Sequence, residues 1–423
     1  MYKPMRKIVG LVIVLAPVLV PLQVLAQDAA EDAALMLADS AAAPVEKARD
    51  WHLSAEAAFG RARLRSGDTE SQRLSLDFTL DTRLHKDWRL LLADQLDMRW
   101  EGHFSDANNI NTLKEAYLSW TPQADQAFDF GRINARYGVA LGFNPTDFFK
   151  AGANRSVTSI DPASLKKNRQ GSVMLRGQSL WSDGSLTAIW SPKLAEHPST
   201  AVFSFDAGAT NRNDHYLLAL SQQITAHIQP QFLLFGERNH APQIGLNLTG
   251  LLNESTVAYA EWAGGRARSQ LAETLDLAEE KTFYSKLSSG LTYTTSNKIS
   301  LTAEWQYNGA ALDRNTWHAL PQQSFGNYRQ YRRALQTTLD MPTRQAVFLY
   351  ASWQDALLHH LDLSAMLRRN LDDRSSLSWL EARYRWGRAD LALQWQLFSG
   401  SAASEFGASN QRQAAQLTLR YFF

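Results

Sequence analysis

The sequence predicts an all-β protein: a transmembrane, antiparallel, up-and-down β-barrel of about 18 strands, within a range of roughly 16–18, with short periplasmic turns and long outer loops. Three observations carry that prediction. From Trp51 onward, apolar and polar residues alternate at a period of two. The polar positions often hold full charges, which an aqueous lumen tolerates and a dry sandwich core does not. Aromatic residues recur at the ends of the apolar runs, where interfacial girdles belong.

The N-terminus sets the compartment. Lys3, Arg6 and Lys7 precede the apolar run IVGLVIVLAPVLVPLQVLA, which ends on small Ala26 before QDAAEDAA. This is the layout of a cleaved signal peptide over residues 1–26. Pro17 and Pro21 break the run too early for a retained anchor helix. Residues 27–50, Ala-rich and acidic, read as a flexible periplasmic leader, and residues 51–423 as the barrel. The leader's alternatives are to plug the barrel or to dock a periplasmic partner. The chain has no cysteine, which excludes disulfides and thiol chemistry in an exported protein. A net charge of +1 gives no electrostatic case for nucleic acid.

Individual strands follow from the alternation. In 73–83, Leu74, Leu76, Phe78 and Leu80 face one way while Arg73, Ser75, Asp77, Thr79 and Asp81 face the other. In 298–308, Ile299, Leu301, Ala303, Trp305 and Tyr307 oppose Ser300, Thr302, Glu304, Gln306 and Asn308. Segments 284–294 and 389–397 repeat the scheme, and each run has roughly the 9–11 residues a tilted membrane strand requires. The alternation assigns Arg73, Asp77, Asp81, Arg89, Asp97, Arg99, Lys286, Glu304, Arg383 and Arg385 to the lumen. Their cations could favour anions, or they could pair with the interleaved carboxylates across strands; weak charge selectivity is expected.

Connections alternate as well. Short ones fall at 85–87, 182–185, 253–255, 296–298 and 386–390, and long ones at 102–112, 138–168, 192–214, 264–282, 309–344 and 399–412. Residues 329–341 (RQYRRALQTTLDM) fit a strand poorly and read as a short helix within loop 309–344, which keeps the strand number even. Arg329, Arg332 and Arg333 would form its basic face, either solvated or set against lipopolysaccharide phosphates or an acidic polysaccharide. The histidines show no metal spacing, so no metal site is expected.

The chain ends in QAAQLTLRYFF, a strand finishing on an aromatic residue. Closure of the last strand on the first explains the absence of a soluble tail. The ending resembles the Tyr-x-Phe signature, here Tyr421 and Phe423, by which assembly machinery recognises outer-membrane barrels. GRINARYG (131–138), FNPTDFF (143–149), SIDPASLKKNRQG (159–171), NLDD (370–373) and FSGSAASEFG (398–407) extend the likeness. On these segments most of the mature chain resembles the porin-like outer-membrane barrels of Gram-negative bacteria, and within them alginate-export-like and other exporter-associated barrels. The resemblance implies a channel for passive passage or export of small polar or anionic solutes, saccharides among them. It implies no cofactor, and contact with outer-membrane lipid, lipopolysaccharide and a periplasmic exporter partner.

Porins of this kind fold a loop from an early strand into the lumen. Loop 138–168 is the candidate, since a long loop without its own secondary structure usually has a function. It would leave a strand over 127–137 beside Arg132 and Arg136, with Asp147 capping a short helix. Folded inward, it would set Asp147 and Asp161 against Arg132, Arg136, Lys166, Lys167 and Arg169 as a constriction with a transverse field. Packed on the rim, the same charges would merely be solvated. An outer-membrane lipid hydrolase is the enzymatic alternative, but no Gly-x-Ser-x-Gly or paired nucleophile and base stands out. A non-conducting adhesion or structural barrel is the third class, although eighteen strands enclose more space than wall side chains fill.

Overall fold

The computed structural model describes residues 49–101, 107–225 and 228–423. The expected signal peptide and almost all of the leader lie outside these residues. The described chain is an 18-stranded antiparallel sheet. Its strands are β1 Trp51–Leu64, β2 Gly67–His85, β3 Trp88–Glu101, β4 Ala107–Gln123, β5 Gln126–Ile133, β6 Ser172–Trp181, β7 Gly184–Ser191, β8 His215–Gln222 and β9 Ile228–Glu237. They continue as β10 Gln243–Asn253, β11 Thr256–Ala267, β12 Thr282–Thr294, β13 Ile299–Asn308, β14 Gln345–Trp353, β15 Leu361–Asn370, β16 Ser376–Trp386, β17 Ala389–Ser399 and β18 Gln411–Phe422. Each strand pairs with the next, and β18 returns to β1 in register from Ser54↔Phe422 to Leu64↔Gln411. The ring is closed, so no strand edge is left open.

Alternation sets the two faces. Along β13, Thr302, Glu304, Gln306 and Asn308 are buried, whereas Leu301 and Trp305 are exposed on the outer surface. The outer face is an apolar band suited to hydrocarbon, with every ladder hydrogen bond made inside the sheet. At the short-turn end the band finishes in Trp51, Trp88, Trp120, Trp181, Trp386 and Tyr421. Trp88 stacks on Trp120 at 6.0 Å, and Trp120 meets Phe128 at 5.5 Å.

The wall is uneven. β2 has 19 residues and β4 has 17, whereas β5, β7 and β8 have 8 each. Loops fill the resulting notch: Gly171 N donates to Lys114 O at 2.8 Å and Asn111 N to Val202 O at 3.2 Å, satisfying the upper edge of β4. The anticipated strand over 127–137 therefore ends at Ile133, and residues 134–171 form one continuous loop.

Among the described residues, five helices lie in the loops: α1 Pro162–Lys167, α2 Ala207–Thr210, α3 Gln270–Leu275, α4 Arg314–Gln323 and α5 Phe325–Thr338. Loop 309–344 thus holds two helices where one was expected. Asp313 caps α4 by accepting from Thr316 N at 2.9 Å, and Ser324 caps α5 by accepting from Asn327 N at 3.3 Å. Tyr328, Tyr331 and Leu335 recur at helical spacing along α5, and pack with Trp317 and Leu320 of α4 into a buried cap at the long-loop end.

Candidate functional site

The lumen wall neutralises its own charges. Arg73 lies between Glu56 at 2.5 Å and Asp97 at 3.8 Å, and Arg420 reaches the same Glu56 at 2.6 Å. Lys114 meets Asp77 at 2.6 Å, Arg89 chelates Asp81, and Arg176 meets Asp129 at 2.8 Å. Arg383 bridges Glu381 and Asp390, each at 2.9 Å, and Arg385 meets Asp362 at 2.7 Å. Arg99 donates to Ser156 Oγ at 2.9 Å and Val157 O at 2.8 Å, and Lys286 to Asp340 Oδ2 at 2.9 Å. Pairs within a strand, across strands and from strand to loop thus offset much of the charge along the wall.

Loop 134–171 enters the cylinder and reaches both sides of it. On one side, Ser156 Oγ donates to Asp97 of β3, which also accepts from Ser75 of β2 at 2.5 Å. On the other side, Ser288 of β12 donates to Phe143 O at 2.6 Å, and Tyr350 of β14 donates to Asp161 at 3.1 Å. β3 and β12 are half-way round the ring from each other, so the loop crosses the lumen. Between these anchors Phe148 stacks on Phe235 of β9 at 4.5 Å, against an inward apolar patch that includes Ile133, Met174, Ile189 and Leu217.

Two wall glutamates clamp the crossing segment. Glu261 of β11, fully buried, accepts from Val139 N at 2.9 Å, Ala140 N at 3.1 Å, Asn144 Nδ2 at 3.2 Å, Thr146 N at 2.8 Å and Thr146 Oγ1 at 3.0 Å. Glu304 of β13 accepts from Leu141 N, from Gly142 N at 2.9 Å, from Tyr259 OH at 2.7 Å and from Gln306 Nε2 at 2.9 Å. Convergent N–H donors on a carboxylate are among the stronger protein hydrogen bonds. The fit requires glycine at Gly138: its φ is +96°, and a Cβ there would stand 2.5 Å from Glu261 Oε1.

The residues anticipated at a constriction are only partly brought together. Asp147 and Arg169 do not face each other across water. They form a buried pair at 2.6 Å, with side-chain exposures of 2% and 4%, that ties the start of the loop to its end. Asp147 caps no helix either. Phe148 N and Lys150 N close a local turn around it, and the loop's helix is α1, capped by Asp161 through Ser164 N at 2.9 Å with Pro162 opening the first turn. Lys166 donates to Ala140 O at 2.8 Å. Burial pushes its ammonium below the usual lysine range, opposed by the nearby Glu261 and Asp147. Lys167 and Arg136 are exposed, and Arg136 lies beyond the end of β5.

Arg132 is a correction. It sits on β5 opposite Ala116, two residues beyond Phe130, which pairs with Leu118 on the outward face. The period of two therefore turns Arg132 away from the lumen. There it is covered, donating to Gly171 O at 2.7 Å and to Phe205 O, with its guanidinium 4.3 Å from the Phe205 ring centroid. It fastens the two loops that fill the wall notch.

At the C-terminus, Tyr421 and Phe423 are exposed on the outer surface, with ring centroids 5.0 Å apart, and Phe423 N donates to Leu53 O at 3.0 Å. Glu261, which accepts five hydrogen bonds from the loop, was not singled out from sequence. Its only local signal is an acid between Ala260 and Trp262, both on the lipid side of the alternation.

No family model and no curated protein sequence matches the chain. Solved structures do. A BenF-like porin from Pseudomonas fluorescens Pf-5 aligns with a TM-score of 0.57 at 10% identity, over 88% of this chain and 98% of that one. Acinetobacter baumannii OccAB1 gives 0.56 at 10% identity, over 91% and 99%. Pseudomonas aeruginosa OpdQ gives 0.55 at 9% identity, over 89% and 99%. At this identity the likeness is one of fold: this chain has the 18-stranded barrel of these Gram-negative proteins. The narrower likeness to alginate-export-like barrels is not shown.

Proposed function

We propose that this protein is a channel of the Gram-negative outer membrane, through which small polar or anionic solutes diffuse, and that loop 134–171 narrows it. The observation that carries the proposal is the loop's crossing of a closed cylinder, anchored on β3 at one wall and on β11 to β14 at the other. A wide barrel with a polar interior and an inward loop is the construction of a selective pore rather than a plugged scaffold. The paired wall charges favour weak discrimination between anions and cations. Lys167 and Arg136 are the exposed cations of the loop, and Lys166 with the Asp147–Arg169 and Asp161–Tyr350 contacts holds its shape. Saccharides, and export alongside a periplasmic partner, are the finer reading. In it the chain reaches the membrane through a cleaved signal peptide, with Tyr421 and Phe423 presented to the assembly machinery and the outer band lying in lipid and lipopolysaccharide. The fold match to the BenF-like porin supports the reading. Purified protein in planar bilayers should give discrete conductance steps. A correctly folded barrel that stays electrically silent, or that hydrolyses phospholipid, overturns it.

A further inference from the structure

The outer face of the barrel carries a charged residue that hydrocarbon alone does not accommodate. On β3, Asp94 shares the outward parity of Trp88 and Trp100 and stands midway between them in the strand. With the rise and tilt of a barrel strand, that half of the strand climbs roughly 15 Å, which sets Asp94 near the middle of an apolar band about 25 Å tall. Its ladder neighbours are Phe78 of β2 and Leu113 of β4. The register of β4 shifts at this point: Lys114 turns inward to Asp77 at 2.6 Å, and Leu113 and Asn111 stay on the outside. There Asn111 Nδ2 donates to Asp94 Oδ1 at 3.1 Å. Arg132, the outward charge of β5, is covered by Phe205 and by loop carbonyls. Asp94 and Asn111 are only half-buried, in a surround of Leu76, Phe78, Leu92, Leu96, Met98 and Leu113. An ionisable side chain at this depth is costly and ordinarily has a polar partner.

We infer that the outer face of β2 to β4, centred on Asp94, docks a second copy of this chain inside the membrane, with Asn111 of each copy donating to Asp94 of the other. An asparagine amide carries two N–H groups, of which the intrachain bond uses one, and a carboxylate accepts several hydrogen bonds. Donor and acceptor therefore lie side by side on one surface. A half-turn about an axis along the membrane normal keeps each residue at its own depth and brings each donor onto the other copy's acceptor, the self-complementary contact of a two-fold dimer. The apolar side chains around the pair would close over it and keep it out of hydrocarbon. Acyl chains, the alternative occupant at this depth, offer no donor to the carboxylate. The inference needs the outer band to lie in lipid and is independent of what the lumen conducts.

The test uses the full chain in its membrane. Because the protein has no cysteine, a single Leu96→Cys gives each copy one thiol beside the pair. A short bifunctional thiol reagent should then join two chains into a dimer in high yield. Leu291→Cys on β12, at the opposite wall, should stay monomeric under the same treatment. In purified barrels, dimerisation should weaken about sevenfold in Asp94→Leu, the loss expected for two reciprocal hydrogen bonds of ordinary strength within a membrane. Asn111→Leu should weaken it as much, and the double variant no more than either alone. Asp94→Leu only extends the apolar band, and the Leu96→Cys experiment leaves Asp94 intact, so a folding defect in one variant does not shield the inference. Equal cross-linking at Leu96→Cys and Leu291→Cys overturns it, as does a dimer fraction unchanged in Asp94→Leu. Cross-linking of Leu96→Cys to a different membrane protein, or a lipid that co-purifies with wild type and is lost in Asp94→Leu while the chain stays monomeric, also overturns it and assigns the face to that occupant.

Discussion

Replacing Glu261 by Ala tests the clamp most sharply. The carboxylate accepts five hydrogen bonds from the crossing loop, three of them from the main-chain N–H groups of Val139, Ala140 and Thr146. Asn144 and Thr146 have second partners for their side chains, in Ala140 O and Asn247 Oδ1. The three main-chain donors have none, and a buried donor left unpaired costs about 1–3 kcal/mol. The loop's closed position therefore loses about 3–9 kcal/mol, and the lower figure already shifts an open–closed equilibrium about a hundredfold. Glu304 still holds Leu141 and Gly142, so the loop should loosen rather than leave. Single-channel recording should show larger, flickering conductance in Glu261→Ala. Glu261→Gln, which keeps one acceptor oxygen, should be intermediate. Because Glu261 is fully buried, its charge contributes little to ion selectivity directly. A quiet trace at wild-type conductance in the Ala variant refutes the clamp.

Three further outcomes are expected. Arg169→Ala leaves the buried Asp147 carboxylate without its cation, a loss of about 3–5 kcal/mol for such pairs; protease sensitivity of loop 134–171 should rise, and Asp147→Ala added to it should recover part of the protection. Asp340 is pushed up by burial but held down more strongly by Lys286 and Lys150, to about 2. A depressed carboxyl stabilises the folded arrangement above its unfolded value of about 4 and ceases to as pH falls towards the folded one. Current noise should therefore stay constant down to about pH 4 and grow below it, and Asp340→Asn should show that noise at neutral pH. Phe423→Ala removes a ring whose recorded ring contact is Tyr421. Folded barrel recovered from cells should fall several-fold while the thermal stability of purified protein barely moves, and unchanged recovery refutes the assembly role.

The barrel was legible because its determinants are local. The face of each strand residue depends on parity alone, so Arg73, Asp97 and Glu304 could be assigned before any partner was known. The site was less legible because its contacts are not local. Thr146 and Glu261 are 115 residues apart and Leu141 and Glu304 are 163 apart, and nothing near either end announces the other. Arg132 shows a different failure. Its alternation with Phe128 and Phe130 was visible, but its nearness to the loop drew it into the constriction. The Asn-Pro-Thr-Asp order is a turn signal that suggests a helix start at Asp147, yet the cap is the Asp161-Pro162 step. Both patterns obey the same capping chemistry, and what surrounds each segment decided between them.

The central claim is that loop 134–171 spans the lumen, and cross-linking reads it directly, because the chain contains no cysteine. Ser75 and Ser156 both donate to Asp97, and Thr146 donates to Asn247 at 2.8 Å. A short dithiol-reactive linker should join Ser75→Cys to Ser156→Cys at one wall and Thr146→Cys to Asn247→Cys at the opposite wall, in protein embedded in membrane. Formation of both links at high yield is the predicted result. Failure of both in folded barrels would mean that the loop lies outside the cylinder, contradicting the account.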